Sequence, residues 1–66
     1  GQILAFIIDQ SGKHQLFIYR IRQDKIQRIS IIPNGIPERV SLDGLGKKAA
    51  VEIRRNGKLN IEIIKI

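Results

Sequence analysis

Two short turns constrain this chain more than any other feature: Gln10-Ser11-Gly12-Lys13 and Arg55-Asn56-Gly57-Lys58. Each lies between apolar, β-branched runs, the pattern of a β-hairpin tip. Loop length decides which side chains share a face of the sheet, and a change of one residue reverses them all. A three-residue loop Gln10-Ser11-Gly12, with Gly12 left-handed, sets Leu4, Phe6 and Ile8 against Ile18, Leu16 and His14. On the other face Ile3, Ala5 and Ile7 then meet Tyr19, Phe17 and Gln15. At the second turn a two-residue Asn56-Gly57 loop opposes Ile53 to Asn60 and Val51 to Glu62, apolar against polar. The three-residue loop Arg55-Asn56-Gly57 opposes Ile53 to Leu59, Val51 to Ile61 and Ala49 to Ile63. Matching of apolar pairs therefore selects the odd loop, with Gly57 left-handed.

Between the hairpins, Gln23-Asp24 separates two further runs, and an even loop there sets Leu16 against Ile31, Ile18 against Ile29 and Ile21 against Ile26. Tyr19 then faces Arg28, and Phe17 faces Ser30. The first three strands form a meander whose apolar face is Leu4, Phe6, Ile8, Leu16, Ile18, Ile29 and Ile31. Pro33-Asn34-Gly35 breaks the pattern with strong turn chemistry, and Pro37 bars a central strand at its own position. Strands are expected at 2–9, 13–22, 25–32, 39–42, 48–54 and 58–65; no stretch has the period and length of a helix. The expected fold is all-β: a small six-stranded antiparallel barrel or a two-layer roll, SH3-like, spanning residues 1–66 as a single small domain.

A chain of 66 residues has a thin stability margin, and the usual staples are closed to it. Cysteine is absent and His14 is the sole histidine, so neither a disulfide nor a cysteine- or histidine-based metal site can be assembled. Burial falls to aliphatic side chains, above all the 15 isoleucines, which suit a pleated surface. No apolar run approaches the ~20 residues of a membrane-spanning helix. No secretory signal is legible either, which makes the cytoplasm the expected compartment. Because the chain begins with Gly1, either an initiator Met has been removed or this is a piece of a longer protein.

Catalytic raw material is scarce. Nucleophile-and-base arrangements lack components, and no serine stands in a G-x-S-x-G elbow. Under the odd loop Glu52 and Glu62 share a face, where Arg54 and Lys58 make them surface ion pairs rather than an acid/base couple. Gly44-Leu45-Gly46-Lys47-Lys48 lacks the spacing of a phosphate loop. The reading is a non-enzymatic protein with no cofactor and no metal.

Positive charge is the more informative signal. Twelve Lys and Arg against six Asp and Glu give a formal charge of +6. Such a balance favours RNA or DNA as partner, although it also serves solubility. Arg20, Arg22 and Lys25 crowd one turn, and Arg54, Arg55 and Lys58 another. With Arg28 beside Tyr19, these eight residues form the expected nucleic-acid site: cations for phosphate and an aromatic face, with Phe17 as a further candidate, for stacking. Packing offers an alternative, in which Phe17, Tyr19, Ile3, Ala5 and Ile7 belong to a second core layer. If instead that layer is uncovered, it marks a homo-oligomer or protein-partner interface, and the last strand offers an edge for strand addition.

The spacing Ile29-x-Ile31-Ile32-Pro33-Asn34-Gly35, then Val40-Ser41-Leu42, Val51-x-Ile53 and Gly57-x-Leu59-x-Ile61, resembles the strand pattern in C-terminal domains of minor pseudopilins. It covers less than two-thirds of the chain, and the N-terminal apolar helix of that family is missing. The resemblance implies a fragment of an assembly protein.

Overall fold

A computed structural model describes residues 2–66 as six strands in two three-stranded antiparallel sheets. β1 (Ile3–Gln10), β2 (Lys13–Arg20) and β3 (Lys25–Ile29) form the first; β4 (Ile36–Leu42), β5 (Lys48–Arg55) and β6 (Lys58–Lys65) form the second. Each sheet is a meander with its middle strand central, and β4 packs against β1 and β2. No ladder joins one sheet to the other, so no closed barrel forms among the described residues. No helix forms either, as expected from the sequence.

Both hairpin loops are shorter than apolar matching predicts. Asp9 pairs with His14, and Gln10 with Lys13, leaving only Ser11 and Gly12 in the first loop. Arg55 pairs with Lys58, leaving Asn56 and Gly57. All four loop residues are left-handed, with φ of 54° and 75° in the first and 51° and 78° in the second. That is a type I′ turn, whose twist matches the right-handed twist of the strands it joins. The gain in turn geometry outweighs the better apolar pairing of the odd loop. Ser11 occupies a region usually left to Gly, Asn or Asp.

The shift by one residue redistributes the faces. Ile3, Ala5 and Ile7 now lie over Arg20, Ile18 and Leu16 on the inner side, while Leu4, Phe6 and Ile8 turn outward with Tyr19, Phe17 and Gln15. Leu4 is 54% exposed, against the inward placement that a three-residue loop gives it. At β2–β3, Leu16 pairs with Ile29 rather than Ile31. Four residues, Ile21 to Asp24, make the loop, closed by Asp24 N–H donating to the Ile21 carbonyl (3.2 Å) with Asp24 left-handed. Phe17 therefore faces Arg28 instead of Ser30, and Tyr19 faces Ile26 instead of Arg28.

Leu16, Ile18, Ala49, Val51 and Ile53 are almost fully buried between the layers. Ile7, Ile29, Ile31, Val40, Leu42, Ile64 and Ile66 close around this centre. β4 begins earlier than expected and includes Pro37, which is tolerated because β4 is an edge strand. A register shift between Pro37 and Arg39 leaves Glu38 as a bulge.

The second hairpin places Glu62 and Asn60 on the inner side, opposite Val51 and Ile53. While Asn60 stays exposed, Arg55 makes this possible for Glu62. Its guanidinium pairs with both Glu62 oxygens and donates from Nε to the Pro33 carbonyl (3.0 Å) and from Nη2 to the Ile32 carbonyl (3.3 Å). One arginine fork thus ties the β3–β4 connection to β6 and satisfies the Glu62 carboxylate at the core margin. Gly35 lies beneath it: a Cβ there would meet Ile53 Cγ2 at 2.5 Å and Arg55 Cγ at 3.1 Å.

Candidate nucleic-acid interface

Strand alternation builds the outer face of β1–β2–β3 in rows. Phe6, Phe17 and Arg28 lie side by side across the three strands; Leu4, Tyr19 and Ile26 form the next row, and Ile8 and Gln15 begin a third. The Phe6 and Phe17 rings stack with centroids 5.8 Å apart and planes 18° from parallel. Both rings are half-buried, and neither belongs to the core between the layers. Directly opposed positions lie about 4.5–5.5 Å apart, so the Arg28 side chain emerges beside the Phe17 ring. Arg28 makes no ion pair or side-chain hydrogen bond among the described residues.

Tyr19 is anchored at the same face. Its hydroxyl donates to Asp24 Oδ1 at 2.7 Å. That hydrogen bond first, then partial loss of water and the Asp24 charge, raises the phenol above its ordinary pKa. Among the described residues Asp24 is the one carboxylate reaching this face. Lys13 shares its parity at the β2 start, and Arg22 is held at the far end by donating to Gln2 Oε1 (2.9 Å).

The eight expected site residues fall into two groups. Tyr19, Arg20, Arg22, Lys25 and Arg28 belong to the first sheet and its turn. Arg20 and Lys25 are directly opposed there but alternate toward the other side, and Arg20 reaches Gln27 at 3.5 Å. Arg54, Arg55 and Lys58 lie in the second sheet. Arg54 is paired with Glu38 (2.9 Å), and Arg55 is occupied by Glu62 and two carbonyls. Lys58 flanks the loop, exposed. Phe6 lies outside the eight expected residues, because a three-residue loop turns it inward whereas the observed register turns it outward beside Phe17. The permissible type I′ geometry at Ser11-Gly12 was the signal for it.

Glu52 and Glu62 do not share a face: Glu52 lies 3.9 Å from Arg39 on the outer side, and Glu62 is on the inner side with Arg55. His14, half-buried, sits between Asp9 (3.4 Å) and Glu38 (3.7 Å) and links β2 to the β4 bulge. No group of three or more His, Asp or Glu among the described residues is arranged to hold a metal ion. No helix among them is long and apolar enough to cross a membrane.

Comparison with protein-family models, with curated proteins and with solved structures finds no match to this chain. The likeness to minor pseudopilins therefore rests on strand pattern alone.

Proposed function

We propose that this chain is a non-enzymatic, SH3-like β module that binds single-stranded RNA or DNA on the outer face of β1–β2–β3. The observation that carries the reading is the Phe6–Phe17 stack with an unpaired Arg28 beside it and Tyr19 in the adjoining row. Bases stack on exposed aromatic faces whatever their identity, and flanking cations neutralise phosphate. Lys13, Arg22 and Arg28 supply those cations here, with Lys25 at the margin. Arg55 is withdrawn from the site, because its guanidinium is committed to the fold.

Fluorescence anisotropy with labelled oligo-uridine and oligo-thymidine tests this. Three phosphate contacts predict a logarithmic salt slope of about −2 on single strands. Tyr19→Ala weakens binding by about tenfold or more if one base stacks there, and Arg28→Ala flattens the salt slope by about 0.7. Absence of binding to any single- or double-stranded oligomer at low salt would refute the proposal.

A further inference from the structure

Strand β6 is an edge with an exposed apolar row. Leu59, Ile61 and Ile63 point outward and are 46%, 70% and 63% exposed. The other edges are defended: β4 carries Pro37 and a bulge, β1 packs against β4, and β3 has only five residues. β6 has eight, with neither proline nor bulge, and its central charge, Glu62, is turned to Arg55. Proteins ordinarily blunt such an edge.

Backbone parity sharpens the point. The pair flanking a two-residue hairpin loop is hydrogen-bonded, and hydrogen-bonded pairs then alternate along the ladder. Counting from Arg55–Lys58, residues 59, 61 and 63 of β6 direct their N–H and C=O groups away from β5. The three residues with exposed apolar side chains thus also hold the free backbone groups.

We infer that β6 pairs antiparallel with β6 of a second copy of this chain, about a two-fold axis through Ile61. Leu59 of each copy then lies opposite Ile63 of the other, and Ile61 opposite its counterpart. This is the one register that matches all three apolar residues. Sliding two residues one way sets Glu62 against Glu62; sliding two the other way leaves Ile63 opposite Gly57. In the matched register Asn60 faces Glu62, while Lys58 and Lys65 fall opposite Ile64 and Gly57, so no like charges meet. The interface is isologous, and it joins two three-stranded sheets into one of six strands.

Each copy carries +6, so mutual repulsion opposes pairing and added salt strengthens it. Phosphate binding responds to salt in the opposite sense, so the two proposals fail independently. Sedimentation velocity across micromolar to millimolar protein, at low and high salt, is expected to show a monomer–dimer equilibrium that shifts to dimer with salt. Ile61→Lys places two cations at the axis and abolishes the dimer while far-UV circular dichroism is unchanged. Ile61→Cys gives a register test, since Cα atoms of a hydrogen-bonded pair lie about 5.5 Å apart, within disulfide reach. Oxidation crosslinks Ile61→Cys but not Leu59→Cys, whose copies are offset by four residues, about 13 Å. A monomer under all conditions, a dimer untouched by Ile61→Lys, or equal crosslinking of the two cysteine variants would overturn the inference.

Discussion

Replacing Arg55 should damage this protein more than replacing any other cation. The side chain is 17% exposed, and its guanidinium makes four contacts: two to Glu62 and one each to the Ile32 and Pro33 carbonyls. Breaking a fully buried pair by removing one partner costs about 3–5 kcal/mol. Glu62 is 37% exposed, so water recovers part of its solvation and the expected loss for Arg55→Ala is about 2–3 kcal/mol. A domain of this length holds only about 3–5 kcal/mol in all, so the variant should keep a margin of about 0–3 kcal/mol. Arg55→Lys keeps the charge but loses the planar fork; it should cost about 1–2 kcal/mol. Urea titration followed by circular dichroism measures both, with the midpoint falling and the slope unchanged. Arg54→Ala is the control: that exposed pair with Glu38 should be worth less than about 1 kcal/mol. If Arg55→Ala falls within about 0.5 kcal/mol of the parent, the explanation of the polar inner positions on β6 is wrong.

Two further outcomes follow from local geometry. Gly35→Ala forces a methyl to 2.5 Å from Ile53, which is fully buried and cannot retreat, so a loss of about 1–3 kcal/mol is expected in the same urea assay; a neutral substitution would mean the β3–β4 connection is free to move. Asp43 accepts from the backbone N–H groups of Lys48 (3.2 Å) and Lys47 (2.9 Å), and these bonds, with help from Gly46 and the Lys48 charge, hold its carboxyl below the ordinary aspartate value. Its contribution is therefore present above the unfolded pKa and lost as pH falls through the lowered folded one. Urea midpoints measured from neutral pH to pH 2 should fall more steeply for the parent than for Asp43→Asn, and parallel curves would contradict the assignment.

Much of the architecture is legible in the sequence because it depends on local rules. Gly, Asn and Pro mark the turns, and β-branched residues fill the strands. The candidate site was only half legible. Tyr19 and Arg28 do lie on one face of the first sheet, but Phe6 lies outward where a three-residue loop turns it inward, and Arg55 is committed to Glu62 and two carbonyls. The placement of Phe6 is ambiguous in sequence because each ribbon is apolar on both sides, so period-two alternation cannot say which side is the core. Leu4, Phe6 and Ile8 are as hydrophobic as Ile3, Ala5 and Ile7, and a one-residue change of loop exchanges them.

What the amino acids determined unaided is the number of strands, the places where the chain turns, and the absence of a helix. What only the tertiary structure decided is the register of every ladder, and with it which side chains face water. The reason is physical. Apolar pairing favours the odd loop, and two effects overrule it. Type I′ turns carry the twist that paired strands require. Arg55 reaches carbonyls more than twenty positions away to neutralise Glu62 at the core margin, a contact that no local window of sequence contains.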